Sequence, residues 1–247
     1  MNNLTIYENT MKLAGSLCDK TGKLKLSSVI ERFVDMAGEQ TDLWEKECDF
    51  PKNTTSWIIN KYDIKIYSFP QKDDIIKLIT YQSRYTRHFC ERIYAVCDEN
   101  DNVLIRIVSF WSVRDYEKMK IVSVPEEYSR FTHDGGITSK TDKKMAKNTD
   151  YSHTTPIYIR TDDFDTNLHV NNAKYFSFMY ECDDVMDYEN YVPDEILLNF
   201  VGGINHKDGN TMSYLMEDTE DGIKLSQKIC SSGGETAAVM ESYWRKI

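Results

Sequence analysis

The chain has 247 residues, 40% of them hydrophobic and 12% aromatic, which is enough for one large domain or two of ordinary size. Its formal net charge of −10 argues against general nucleic-acid binding. No apolar run approaches the ~18 residues of a membrane span, and the N-terminus lacks the pattern of a signal peptide, so we expect a cytoplasmic protein without membrane contact. The six cysteines form no Cys-x-x-Cys pair, which indicates free thiols and no metal site.

The first third of the chain predicts one or two short strands and then a helix. Residues 4–18 read as strand and end at a turn over 19–22. Either Ser27 or Ser28 is a candidate N-cap, and the helix is expected to run from Ser28 to about Trp44. Its buried face is predicted from apolar residues at helical spacing: Val29, Ile30, Phe33, Val34 and Ala37.

Four strands are predicted after this helix, with turns between them. Tyr62, Ile64 and Ile66 alternate with polar residues, which is typical of a strand with one buried face. The predicted strands cover residues 57–67, 75–83, 91–97 and 103–114. A helix followed by strands in hairpin order indicates an antiparallel sheet packed on that helix.

A polar segment then separates two halves of similar pattern. We expect an N-terminal domain over residues 1–133, a linker over 134–150 and a C-terminal domain over 151–247. The linker contains four lysines within eight positions, which favour either a solvated segment or a basic patch for an acidic partner. They are Lys140, Lys143, Lys144 and Lys147.

The second half repeats the order of strand, helix and strands. A short strand is predicted over Ile157–Arg160, a polar loop over 162–172, and a helix from Ala173 to about Tyr188. Glycine-rich turns separate four further strands near 195–201, 211–217, 223–230 and 236–244. The repeated order indicates an internal duplication.

The polar loop of the second half holds the candidate chemistry. Asp165, Asn167 and His169 occupy alternate positions, so an extended segment would place their side chains on one face. A carboxylate, an amide and an imidazole together can hold and activate a water molecule. Asn171 or Asn172 is expected to cap the helix that follows, and the amides at the helix start are candidate oxyanion donors.

The span from Arg160 to Glu181 resembles the acyl-acyl-carrier-protein thioesterase family. The shared motif is Asp-x-Asn-x-His-Val-Asn-Asn, followed by Tyr175 and, six residues on, Glu181. The resemblance implies an α+β fold of two tandem hotdog domains, each a curved antiparallel sheet wrapped around a long helix. It also implies that Asp165, Asn167 and His169 are catalytic.

The resemblance further implies a function in fatty acid biosynthesis, namely hydrolysis of fatty acyl-acyl carrier protein to free fatty acid and carrier protein. No cofactor is expected, and whether the chain forms a homodimer is left open. Trp57, Asn171 and Tyr175 are candidate substrate-binding residues, with Trp57 and the first helix expected to set the acyl chain length.

One position departs from the family pattern. The family uses a Glu after the strand that follows the second helix, and here that place holds Gly203, two residues beyond Val201. Two alternatives therefore stay open beside hydrolysis of the carrier-protein thioester. The chain is either an acyl-coenzyme A thioesterase or an acyl-binding hotdog protein that does not hydrolyse its ligand.

Overall fold

A computed structural model describes residues 4–48, 54–139, 143–146, 149–182 and 186–247. The chain divides into two compact units, residues 1–140 and 141–247. None of the helices in the described ranges combines the length and the apolar character that a membrane span requires.

The first unit consists of one long helix and an antiparallel sheet. The helix α1 spans Leu26–Glu45, and the strands pair in the order β1-β3-β4-β5-β2, with β6 on β5. The strands are β1 Tyr7–Lys12, β2 Thr55–Ile66, β3 Ile75–Tyr85, β4 Cys90–Cys97, β5 Val103–Asp115 and β6 Lys120–Val122. The helix and the four strands predicted from periodicity are confirmed.

Helix α1 lies on one face of this sheet. Phe33 stacks on Tyr94 of β4 with ring centroids 4.9 Å apart, and Val29, Ile30 and Phe33 are buried as predicted. Burial of each such side chain stabilises the fold by about 1.5–3 kcal/mol. The predicted serine cap is wrong, because the helix begins directly after Lys25 and no side chain of the described residues caps it.

The opposite face of the sheet, which we call the outer face, is buried as well. It contains a cluster of Ile79, Tyr81, Ile93, Ala95, Cys97 and Val108. Asp63, predicted on a polar face, is only 1% exposed, because Arg106 of β5 pairs with it at 3.0 Å between Nη2 and Oδ1. A buried ion pair thus lies at a position where the alternating pattern of β2 predicts a solvent-exposed side chain.

Residues 134–138, at the start of the predicted linker, lie against this outer face. A Cβ built on Gly135 would come within 2.5 Å of the Tyr81 ring. Ile137 packs against the outer-face cluster, and Arg106 Nη1 donates to the carbonyl oxygen of Thr138 at 3.3 Å. We call residues 134–138 the strap.

The strands of the second unit pair antiparallel in the order β8-β11-β10-β9-β7. Its strands are β7 His153–Pro156, β8 Tyr191–Phe200, β9 Thr211–Thr219, β10 Gly222–Cys230 and β11 Thr236–Lys246. The four strands predicted after the second helix are confirmed. The short strand predicted over Ile157–Arg160 is wrong, since the strand before the polar loop is β7.

The helix of the second unit is shorter than predicted. A 3₁₀ turn spans Asn172–Lys174, and the helix α2 spans only Tyr175–Phe178. The carbonyl of Met179 accepts from the side chains of Tyr188 at 3.1 Å and Gln227 at 3.3 Å. These side chains take an acceptor that a longer helix would use, so the extent predicted to about residue 188 is wrong. Residues 183–185 of that range lie outside the described residues.

Candidate active site

The loop that carries the polar motif folds as a tight turn. The Asp165 amide donates to the His169 carbonyl at 2.9 Å, and the Leu168 amide donates to the Asp165 carbonyl at 3.1 Å. Leu168 has φ of 59°, in the left-handed region. The expectation of an extended segment with three side chains on one face is therefore wrong.

The carboxylate of Asp165 holds the backbone of this turn. Its Oδ1 accepts from the amide of Asn167 at 2.8 Å and from the amide of His169 at 3.4 Å. Its Oδ2 lies 3.5 Å from Asn167 Nδ2. This is the usual way in which an Asp stabilises a turn, and the carboxylate thereby holds the loop that carries His169.

The imidazole of His169 is oriented by a backbone carbonyl. Nδ1 lies 2.9 Å from the carbonyl oxygen of Asn167. Because a carbonyl oxygen only accepts, the proton of the neutral ring sits on Nδ1, and Nε2 carries the lone pair. Nε2 has no hydrogen-bond partner in the described ranges, and the side chain is exposed. The ring is thus arranged to accept a proton at Nε2.

Gly203 lies against the edge of this imidazole. A Cβ at position 203 would be 2.6 Å from His169 Cδ2 and 3.4 Å from Nε2. The backbone of Gly203 is not left-handed, so it is the observed position of the ring, and not the main chain, that leaves no room for a Cβ here. The Val170 amide donates to the Ile204 carbonyl at 2.8 Å and fixes the two segments together. The imidazole edge occupies the space where the first side-chain carbon of a Glu would start.

Asn171 and Tyr175, two candidate substrate-binding residues, lie in the turn and the short helix that follow His169. Asn171 Oδ1 accepts from the Ala173 amide at 2.9 Å, which confirms the predicted cap, here on a 3₁₀ turn. Tyr175 is 2% exposed and packs edge-on against Phe200 at 5.1 Å. Burial raises the pKa of its phenol to about 12. A one-turn α2 supplies little of the dipole expected at a helix start.

A cavity of about 290 Å³ lies in the first unit, near the lower end of the roughly 300–1,000 Å³ typical of ligand sites. Its sheet wall consists of Trp57, Gln82, Cys90, Arg92 and Trp111. Its helix wall includes Val34, Ala37, Gly38, Thr41 and Asp42 from α1. Trp57 lines this cavity, and its contact with substrate stays a prediction.

Sequence reasoning missed the two polar side chains of this wall. Gln82 and Arg92 are direct cross-strand neighbours on β3 and β4, and their exposed fractions are 1% and 5%. Their positions in the alternating pattern could have shown this, because side chains two residues apart on a strand share a face, and Arg92 is two residues before Tyr94. Burial of β4 on both faces conceals that signal, because its neighbours are apolar on either side.

No cluster of metal-ligating side chains occurs among the residues that the structure describes. Of the four lysines predicted as linker or basic patch, Lys143 stacks over the ring of Tyr243 at 4.4 Å, and Lys144 is exposed. Lys140 and Lys147 lie outside the described residues.

Known proteins match the chain over most of its length. The sequence family model named acyl-ACP thioesterase N-terminal domain matches residues 5–131, and the one named acyl-ACP thioesterase C-terminal domain matches residues 146–246. A chloroplastic acyl-[acyl-carrier-protein] hydrolase of Cuphea viscosissima is 26% identical over 136 residues, 52% of this chain and 33% of that protein. A chloroplastic dodecanoyl-[acyl-carrier-protein] hydrolase of Umbellularia californica is 22% identical over 204 residues, 78% of this chain and 49% of that protein.

Two solved structures share the fold. The 12:0-ACP thioesterase from Umbellularia californica has a TM-score of 0.83 at 15% identity, covering 100% of this chain and 99% of that chain. An acyl-ACP thioesterase from Bacteroides thetaiotaomicron has a TM-score of 0.78 at 15% identity, with 98% of each chain covered. The predicted α+β fold class of the hotdog type is confirmed by these likenesses.

The chain belongs to the acyl-ACP thioesterase family, since the two domain models together match residues 5–131 and 146–246. It spans between a third and a half of the length of the two curated relatives.

Proposed function

We propose that the protein hydrolyses fatty acyl-acyl carrier protein to a free fatty acid and the carrier protein. The observation that carries this proposal is the state of His169: its Nδ1 is bound to the carbonyl of Asn167, and Nε2 is left to accept a proton. Membership of the thioesterase family supports the substrate class. Two curated relatives are named hydrolases of acyl carrier protein thioesters.

The proposed reaction needs one base and a polarised carbonyl. Nε2 of His169 removes a proton from water as the water oxygen attacks the thioester carbonyl carbon. The tetrahedral intermediate collapses by breaking the carbon–sulfur bond, and the thiolate takes up the proton from the imidazolium. The Nδ2 group of Asn167 is exposed at the same turn and can donate to the carbonyl oxygen. Asp165 acts through the backbone that it holds.

The test is thiol release from acyl carrier proteins loaded with chains of different length. We expect His169→Ala to lower kcat by about 10²–10⁴-fold, the usual contribution of a general base. Thr166→Ala is the matched control, because Thr166 is exposed in the same turn and makes no hydrogen bond there among the described residues. Turnover that survives His169→Ala unchanged would remove the proposal. Competition between acyl carrier protein and acyl-coenzyme A substrates tests the alternative donor.

Gly203 favours a second candidate, an acyl-binding protein without hydrolysis. It stands where the family places a Glu, and the imidazole of His169 lies too close to its Cα for any side chain without a shift. This candidate predicts ligand binding with no thiol release from any substrate. A measurable rate in the wild-type protein that is lost in His169→Ala excludes it.

A further inference from the structure

Leu168 is an exposed apolar residue in an uncommon backbone conformation, directly before His169. Its φ angle is 59°, in the left-handed region, and its side chain is 76% exposed. That region is uncommon for residues other than glycine, asparagine and aspartate, because Cβ comes too close to the following carbonyl oxygen. An exposed leucine side chain makes few packing contacts that could offset this cost. The conformation is therefore held by the hydrogen bonds of the turn.

These hydrogen bonds belong to a three-residue hairpin loop. Phe164 and Val170 form an antiparallel bridge, and the Asp165 amide donates to the His169 carbonyl at 2.9 Å. The Leu168 amide donates back to the Asp165 carbonyl at 3.1 Å. A hairpin loop of three residues commonly ends in a left-handed residue, for which glycine is the suitable choice. Leu168 occupies that last position.

The left-handed backbone of Leu168 determines where the Asn167 carbonyl points. This carbonyl belongs to the peptide bond between Asn167 and Leu168, and its oxygen lies 2.9 Å from His169 Nδ1. Because peptide bonds are planar, the φ and ψ angles of Leu168 are the only soft backbone dihedrals between that peptide and the one that carries the His169 amide. A change of φ at Leu168 would therefore turn the carbonyl away from the ring.

The segment that carries the ring is fixed by contacts of its own. The His169 carbonyl accepts from Asp165, and the Val170 amide donates to the Ile204 carbonyl at 2.8 Å. The edge of the imidazole also lies against Gly203. The carbonyl of the preceding peptide would thus move while the ring stays. Nδ1 has no second acceptor among the described residues, so it would lose its only partner there.

We propose that Leu168 is a positioning residue that selects the tautomer of His169 through the carbonyl of Asn167. With the carbonyl in place, the neutral ring carries its proton on Nδ1 and its lone pair on Nε2. Without it, both tautomers are open to the ring, and the one protonated on Nε2 cannot accept a proton from water at that atom. The inference rests on the proposed function, because it assigns a geometric requirement to the base of that reaction.

The tautomer can be measured without any substrate. Histidine labelled with ¹⁵N reports by NMR which ring nitrogen carries the proton, and the spectrum is recorded at a pH where the ring is neutral. The chain has five histidines, and the signal of His169 is the one absent from His169→Ala. We expect the wild-type ring to be protonated on Nδ1. A wild-type ring protonated on Nε2 would overturn the proposal.

Substitutions of Leu168 separate the role of its backbone from that of its side chain. Leu168→Val keeps an apolar side chain, but β-branched residues strongly disfavour the left-handed region. Leu168→Asn removes the apolar side chain, and asparagine enters that region readily. We expect Leu168→Val to populate the Nε2 tautomer and to have a kcat about tenfold below that of Leu168→Asn, the order of the population shift that this region imposes on L-residues. With thioesters of the small thiol N-acetylcysteamine, KM should differ less than twofold between the two variants, because the change lies in the base.

Met119→Val is the matched control for backbone strain. Met119 is also an exposed apolar residue with a left-handed backbone, at φ of 52°, but it lies in the turn between β5 and β6 of the first unit. Its substitution should lower the melting temperature as Leu168→Val does and leave the His169 tautomer and kcat at wild-type values. Equal kcat in Leu168→Val and Leu168→Asn, whether both wild-type or both reduced, would overturn the proposal. If Leu168→Val aggregates, Leu168→Thr takes its place as a β-branched but polar variant.

The spectra and the turnover together separate this inference from the proposed function. A tautomer that shifts in Leu168→Val, with no hydrolysis of any thioester by the wild-type protein, supports the positioning role and overturns the thioesterase proposal. Wild-type turnover that is lost in His169→Ala, with the same tautomer in both Leu168 variants, leaves the thioesterase proposal standing and overturns the positioning role.

Discussion

Replacement of Gly203 by alanine tests the role of the imidazole position most directly. The added Cβ would lie 2.6 Å from His169 Cδ2, whereas carbon atoms pack at about 3.5–4.0 Å. The ring must therefore move by about 0.9–1.4 Å, the difference between these distances. Because the ring is exposed, it can move without breaking the core, and we expect a change in unfolding free energy within about 1 kcal/mol.

The expected effect of Gly203→Ala on catalysis is large. A displacement of about 1 Å in a reacting group costs roughly 10²-fold in rate, or about 2.7 kcal/mol of transition-state stabilisation. The assay is kcat/KM for thiol release from acyl carrier protein, with the melting temperature measured in parallel. The matched control is Gly233→Ala, whose Cβ would meet only Ser231 Oγ at 4.0 Å.

A double-mutant cycle identifies the cause of this loss. In a His169→Ala background the ring is absent, so Gly203→Ala should add no further loss. Wild-type kcat/KM in the single Gly203→Ala variant would refute the assignment of His169 as the base in the observed position. Additive losses in the double variant would refute the steric explanation.

Three further expectations concern stability and reactivity. Tyr175→Phe removes the ionisable hydroxyl of a buried phenol, so the free energy of unfolding at pH 7 should change by no more than about 1.5 kcal/mol in denaturant titration. The pKa of Tyr175 is raised from 10.0 to about 12, so its stabilisation is complete below pH 10 and is lost as the pH rises toward 12; the variant should lose less stability over that window. Arg106→Met removes the 3.0 Å partner of the buried Asp63 carboxylate, which keeps Lys61 Nζ at 4.0 Å, and should cost up to about 3–5 kcal/mol, measured by melting, with recovery in the Arg106→Met, Asp63→Leu double variant. Burial raises the pKa of the Cys90 thiol to about 12, so iodoacetamide at pH 8 should leave Cys90 unlabelled in the native protein and label it in denaturant.

The periodicity of apolar residues predicted most of the helices and strands, because the elements with a clear pattern bury only one face. The alternation of Tyr62, Ile64 and Ile66 follows from a face that packs under α1, and β2 contains them. The same rule failed for Asp63, whose burial depends on Arg106, 43 residues away. An ion pair between residues so far apart in sequence cannot be recognised from the hydrophobic pattern of a short stretch of the chain.

The second helix was overestimated for a related reason. Local spacing around Tyr175 is compatible with a long helix, but the Met179 carbonyl is taken by side chains from Tyr188 and Gln227. Gln227 lies on β10, so a tertiary contact decides where the helix stops.

The sequence predicted which residues form the candidate site but not how their side chains are arranged. Asp165, Asn167 and His169 share one turn, yet the Asp binds amides of the backbone and the ring is set by a carbonyl. Side-chain to backbone bonds of this kind depend on a left-handed residue, Leu168, which composition does not indicate. The role of Gly203 was visible only as a missing Glu, because its closeness to the imidazole is a property of the folded loops.

The contacts of the strap determine where a fragment that contains the first unit should end. The N-terminal family match stops at Phe131, but residues 134–138 cover apolar side chains around Tyr81 and give Arg106 Nη1 an acceptor. A fragment that ends at 131 would bare that patch and should self-associate on expression. A fragment meant to keep that patch covered must therefore extend to residue 139, several residues beyond the edge of sequence similarity.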